Sequence, residues 1–189
     1  MIKASQDFIN SNLWFFMRGA PNRRLLHEWI FTLDLDRVNF YLKNVLDVRN
    51  FVVEHTHYTV DEQVYGVKEY WLQNESEMYN LLKNKKDDCD GVAMLTASLL
   101  NSIGNSDIHL ALGYYGDPKY AMFCNHAYCL LMNEYDPDDP YIIETTGDDI
   151  INNLPKASDL PQYTTLVSCN AKGEYFLYDM WEDRYEKTI

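Results

Sequence analysis

Apolar positions recur at helical spacing in the first half of the chain and at strand spacing after residue 104. Between Asp36 and Val53 the apolar residues Val38, Tyr41, Leu42, Val45, Leu46 and Val53 follow a period near 3.6, which predicts a helix. A shorter helix is expected around Met78–Leu82. The clearest helical pattern runs from Asp88 to Ile103, with Val92, Leu95, Ala97, Leu99, Leu100 and Ile103 apolar, Asp88 suited to the N-cap and Gly104 to the stop. Beyond it, Ile108–Tyr115 and Asn125–Met132 read as strands joined through Gly116-Asp117-Pro118-Lys119. A third strand, Tyr141–Thr145, follows the turn cluster Asp136–Pro140. A last hairpin pairs Tyr163–Ser168 with Tyr175–Tyr178 across Asn170–Gly173. Helices first and strands later predict an α+β domain with an antiparallel sheet. Residues 1–35 are apolar and aromatic with weak periodicity, and Arg18–Arg24 reads as a turn.

The 189 residues suit one domain, and a 47% hydrophobic share supplies a core without staples. Twenty-nine acidic against 16 basic side chains, a net charge of −13, argue against nucleic acid or an anionic membrane as partner. No run approaches the roughly 18–20 apolar residues that span a bilayer. The stretch Phe8–Met17 is broken by Asn10, Ser11 and Asn12 and does not read as a signal peptide. Four cysteines are too few for a disulfide framework, so free thiols in a reducing compartment, such as the cytoplasm, are expected. Fifteen tyrosines supply many amphipathic contact groups, which leaves an oligomer or a larger assembly open.

Chemistry concentrates at Lys85-Lys86-Asp87-Asp88-Cys89-Asp90-Gly91, where the strongest helix begins. The unpaired N–H groups and the positive dipole end there favour a thiolate at Cys89. The adjacent carboxylates oppose it, so a cationic partner is required. His126, on the second strand, is the candidate, and Glu144, on the third, is a carboxylate in an apolar strand that needs a partner of its own. A hairpin would set Glu144 beside His126, giving nucleophile, base and orienting carboxylate, with one ring nitrogen toward the thiol and the other toward Glu144. The spacing fits equally a core histidine beside an edge-strand glutamate. A zinc cluster of Cys89, Cys124, His126 and Cys129 conflicts with strand parity, which puts residues 124 and 126 on one face and 129 on the other.

The blocks Tyr58–Trp71 (with Asp61, Gln63, Tyr65-Gly66 and Glu69-Tyr70-Trp71), Asp88-Cys89-Asp90-Gly91-Val92-Ala93-Met94-Leu95, Asn125-His126-Ala127 and Ile143-Glu144-Thr145-Thr146 occur in the order seen in bacterial transglutaminase-like cysteine peptidases, which this chain resembles. The resemblance covers residues 50–180 and extends to the closing hairpin. It implies a transglutaminase-like, papain-like core at 51–180, with residues 1–50 a helical elaboration of the same domain. It also implies a Cys89–His126–Glu144 triad, and an oxyanion hole formed by the Cys89 N–H and an upstream side chain, for which Gln63 is the choice over Tyr58, Tyr65 and Trp71. The chain departs from the family in carrying Glu144 where aspartate is usual, with Asp148 and Asp149 as alternates. Trp71-Leu72-Gln73-Asn74 replaces the family's Trp-x-Thr-Pro. Gly91 stands where some relatives carry an acidic calcium ligand, so no metal and no other cofactor is expected. The implied function is hydrolysis of peptide or amide bonds in a protein or peptide substrate. The alternatives are transamidation or deamidation of protein glutamines, or a weakly active structural subunit.

Overall fold

The computed structural model describes residues 1–16, 24–38, 41–121, 123–147, 149–178, 181, 182 and 186. In chain order these form β1 (Ile2–Ala4), α1 (Gln6–Phe16), α2 (Val45–His55), β2 (His57–Tyr58), α3 (Asp61–Val64), α4 (Glu75–Asn84), β3 (Lys86–Asp87), α5 (Cys89–Ser102), β4 (Ile108–Tyr115), β5 (His126–Leu131), β6 (Tyr141–Ile143), β7 (Tyr163–Cys169) and β8 (Tyr175–Leu177). Helix α5 is the hub. Asp88 caps it by accepting the Asp90 N–H, and Gly104, at φ +85°, ends it with its N–H on the Asn101 carbonyl. Every residue from Asp90 to Leu100 is buried, because β4 and β5 pack on one side and α2 and α4 on others. That explains why the helix is apolar nearly all round rather than striped. Its interior hydroxyls are satisfied within the helix: Thr96 bonds the Val92 carbonyl and Ser98 that of Met94.

Six strands form an antiparallel sheet in the order β1-β8-β7-β4-β5-β6. Alternation divides its two faces. Leu110, Leu112, Ala127, Cys129, Ile143, Val167 and Cys169 join the main core with α5, while Ala111, Tyr128, Leu130, Ile142 and Tyr178 form a second, smaller core. Strands β2 and β3 make a separate parallel pair that ties the chain before α3 to the turn entering α5.

The helix expected from Asp36 begins instead at Val45. Asn44 caps it by accepting the Asp47 N–H at 3.0 Å, and residues 35–37 make a 3-10 turn capped by Asp34. Tyr41, counted into the helical pattern, is 86% exposed. Strand β1, too short to show a period, extends the sheet at β8. The turn read at Arg18–Arg24 lies almost wholly outside the described residues. No helix among the described residues is long and apolar enough to cross a membrane.

Candidate active site

Cys89 occupies the first position of α5 and opens into a cleft of about 480 Å³. The cleft is also lined by Tyr58, Glu69, Trp71, Cys124 and His126. The Cys89 sulfur accepts the backbone N–H of Ala127, which ties the start of α5 to β5. Burial, then Asp90 and Asp88, push the thiol well above its ordinary pKa, and Glu69 adds to the effect against the Ala127 hydrogen bond. Burial first, and the acidic neighbours read from the sequence with it, disfavour the thiolate, which needs a positive charge brought to it.

His126 is the first residue of β5, and Glu144 follows the last residue of β6. The two strands pair antiparallel, Cys129 opposite Ile143, which carries both side chains to one end of the sheet. His126 Nε2 lies 2.6 Å from Glu144 Oε2. The same carboxylate accepts from Tyr163 Oη at 3.0 Å, and its other oxygen accepts from the Thr146 N–H at 2.6 Å and Thr146 Oγ1 at 2.7 Å. Burial opposes the charge on Glu144, but the hydrogen bonds from His126 and Thr146 and the attraction of His126 outweigh it and hold the carboxyl down to about 2. Cys89 and His126 share the cleft with no direct hydrogen bond between them among the described residues.

Carboxylates crowd the start of α5, with Glu69, Asp88 and Asp90 lining the cleft beside Cys89, and Asp61 and Asp87 buried behind it. Ligand oxygens of Asp61, Glu69 and Asp90 lie within 4.8 Å of one another. Asp61 is 1% and Asp90 4% exposed, and one oxygen of each, Oδ1 and Oδ2 respectively, is buried without a hydrogen-bond partner. Burial, then Asp88, lifts Asp61 to about 6 and Glu69 to about 7. Burial also lifts Asp87 to about 8, against hydrogen bonds from Tyr65 Oη and the Asp88 N–H. Orphaned buried oxygens on converging carboxylates form a donor set suited to a hard divalent cation. The expectation of no metal rests on Gly91; the fold brings Asp61 and Glu69 from a different part of the chain.

Gln63 is exposed on α3 and is not among the described residues that line the cleft, whereas Tyr58 and Trp71 are. Cys124 lines the cleft, and Cys129 is buried against α5, its thiol donating to the Ala93 carbonyl. Asp149 is exposed, and Asp148 lies outside the described residues. Sequence reasoning missed Tyr163, whose partner is set by sheet order, Thr146, which bonds Glu144 within one local turn, and Arg49. That arginine is 4% exposed and donates from Nε to the Glu144 carbonyl at 2.9 Å. A charged residue amid the apolar Val48, Phe51, Val52 and Val53 was the available signal.

No protein-family model matches the chain, and no curated protein matches it. Among solved structures it is similar to Legionella pneumophila LapG, at 16% identity over 76% of this chain and 76% of that one, with a TM-score of 0.53. It is similar also to calcium-bound LapG from the same organism, at 14% identity over 87% and 86% of the two chains, with a TM-score of 0.52. At such identities the likeness is one of fold: a helix that presents Cys89 at its start, set on a six-stranded antiparallel sheet, is the transglutaminase-like architecture.

Proposed function

We propose that this chain is a thiol hydrolase that cleaves peptide or amide bonds through Cys89, His126 and Glu144 by way of a thioester. The observation that carries this reading is the 2.6 Å bond between His126 Nε2 and Glu144 Oε2 in a cleft shared with Cys89. With Nε2 held by Glu144, Nδ1 is left to take the thiol proton. The Cys89 sulfur attacks the substrate carbonyl carbon, the C–N bond breaks as the imidazolium returns the proton to the leaving amine, and an acyl thioester remains. Water attacks that thioester with His126 as base, releasing the carboxylic acid and restoring the thiol. Glu144, ionised at any working pH, fixes the imidazole tautomer and stabilises the imidazolium.

The oxyanion takes one donor from the Cys89 N–H, which at the first position of α5 has no intrahelical partner. Gln63 is exposed and is not among the described residues that line the cleft. Trp71 Nε1 is engaged by Glu69 and Tyr65 Oη by Asp87, which leaves Tyr58 as the second donor. Burial and the neighbouring Cys89 push the Tyr58 hydroxyl above its ordinary pKa, so it stays protonated. The exposed rings of Tyr58 and Tyr115 beside Cys89 and His126 favour a polypeptide substrate over a small amide. All four cysteines are free thiols, in keeping with a reducing compartment.

Turnover of a peptide library by the wild type, absent in Cys89→Ala and His126→Ala, is the expected result. An added primary amine separates the acceptors: unchanged acid release supports hydrolysis, and amide product at its expense means transamidation. A correctly folded wild type that cleaves no amide and whose Cys89 resists alkylation makes the chain a structural subunit.

The orphaned oxygens of Asp61 and Asp90 favour a second feature, a calcium ion held by Asp61, Glu69 and Asp90, in keeping with the calcium-bound form of the similar LapG. Such an ion supplies positive charge that offsets the carboxylates facing the cleft. Calcium at 1 mM should raise the Tm over that in EDTA, and Asp61→Asn should remove the difference. Equal melting curves in calcium and EDTA would exclude the site.

A further inference from the structure

We infer that Tyr163 is a positioning residue of the reaction: its hydroxyl donates to the same Glu144 oxygen that holds His126, and so sets both the orientation and the basicity of the imidazole. The inference rests on the proposed Cys89–His126–Glu144 hydrolase and deepens it.

The geometry at Glu144 is saturated. Oε1 takes two bonds from Thr146, which lies two residues further along the chain, and these fix the rotation of the carboxylate. Oε2 takes one bond from His126 at 2.6 Å and one from Tyr163 at 3.0 Å. Tyr163 opens β7, which is separated from β5 by β4, so its hydroxyl crosses the width of a strand to reach the carboxylate. Its ring is fixed by packing. The ring centroid of Tyr115 lies 4.9 Å away, that of Tyr128 5.3 Å and that of His126 5.9 Å. Three tyrosines from three strands thus wall the imidazole, and Tyr163 alone among them adds a hydrogen bond to Glu144 among the described residues.

This arrangement has two effects. A second donor on Oε2 leaves the carboxylate less free to swing, so the imidazole it holds is better aimed at Cys89. The same donor draws charge from Oε2, so Glu144 stabilises the imidazolium less than a bare carboxylate would. Burial, then the charge of Glu144, keeps the Tyr163 hydroxyl protonated well above its ordinary range, so it serves as a donor throughout the working pH range. The charged or titratable groups facing this pair include Cys89 from α5, Tyr115 from β4, Cys124 just before β5, Tyr128 and Cys129 from β5, Tyr163 from β7 and Arg49 from α2, the last acting on Glu144. None of the others supplies a hydrogen bond to Glu144 Oε2.

The test is Tyr163→Phe, which keeps the ring and removes one oxygen, with Tyr115→Phe as control. Two readouts are taken on the intact chain: the His126 pKa from NMR titration of the ring protons, and the pH profile of peptide hydrolysis. Tyr163→Phe should raise the His126 pKa by about half a unit, because the Glu144 charge is then less neutralised, and should move the acidic limb of the profile up by the same amount, since His126 acts as a base in its neutral form. It should lower kcat about tenfold with KM unchanged. Tyr115→Phe should move neither limb nor His126 pKa. A His126 pKa that stays put in Tyr163→Phe overturns the inference whether or not the protein cleaves anything. If the pKa moves and no variant, wild type included, hydrolyses an amide, the hydrogen-bond role stands and the hydrolase reading falls. Should Tyr163→Phe fail to fold, Thr146→Val removes one of the bonds on Oε1, and a His126 pKa unmoved there too would refute control through Glu144.

Discussion

The α-carbon of Gly91 faces the Asp87 carboxyl so closely that a Cβ would stand 2.3 Å from Asp87 Oδ2 and 2.4 Å from Cγ. The residue read from the sequence as a lost calcium ligand is thus the gap into which another carboxyl folds. Gly91→Ala should destabilise the protein by about 1–3 kcal/mol, despite the higher helix propensity of alanine, and a chemical denaturation curve measures it. At the proposed triad, Glu144→Gln keeps the shape and removes the charge. It should slow hydrolysis by about three to four orders of magnitude with the Tm little changed, as loss of the orienting carboxylate does in serine proteases. Near-full activity in Glu144→Gln would mean that another group orients His126. Cys89, His126 and Glu144 were legible because each sits in a short block whose residue types and local element announce it. Tyr163 was not, and Asp61 and Glu69 were named only as members of the Tyr58–Trp71 block, because nothing near them in the chain signals a partner that only the fold brings into reach.

At the scale of elements, the pairing of β5 with β6 sets Glu144 against His126, and α2 secures the chain just beyond β6. Arg49 donates to the carbonyls of Glu144 and Asp149, and Asn50 bonds Ile151 through both its amide nitrogen and its oxygen, so one helix turn pins Glu144, Asp149 and Ile151. Thr96 on α5 meets Thr145 at 3.1 Å from the other side. Arg49→Met should cost about 3 kcal/mol, because carbonyls that accepted from a buried cation lose their donor, and it should lower kcat through Glu144 as well. Equilibrium unfolding and initial rates together check this; an unaltered Tm would show that the segment holds without the clamp. The long apolar patterns placed α5, β4, β5 and β7 almost to the residue, since burial fixes those. The start of α2 was misplaced because an amphipathic pattern of six positions, with Tyr41 in fact exposed, carries less weight than the Asn44 cap.

For the whole molecule, the acidic cluster gives stability a definite pH dependence. Asp61, Glu69 and Asp87 have folded pKa values raised to about 6, 7 and 8 from carboxylate values near 4, so the folded state binds more protons than the unfolded one across this window. Their contribution is greatest at low pH and is lost as pH rises through those values. His109, buried and lowered to about 4, and Glu144, held at about 2, act in the opposite sense, but only below about pH 6.5 and pH 4.5 respectively. In EDTA, stability should therefore fall by about 2 kcal/mol between pH 6.5 and 8.5. A flat or rising profile in urea denaturation would mean that the carboxylates are not buried as described.

The measurement that bears most directly on the proposed thiol chemistry is the alkylation rate of each cysteine by iodoacetamide across pH 5–9, read by mass spectrometry in wild type, His126→Ala and Glu144→Gln. Cys89 should react well ahead of Cys124, Cys129 and Cys169 in the wild type, and lose that lead in both variants. Cys89 reacting no faster than Cys124, or at a rate indifferent to His126 and Glu144, would contradict an imidazole-activated nucleophile at the start of α5.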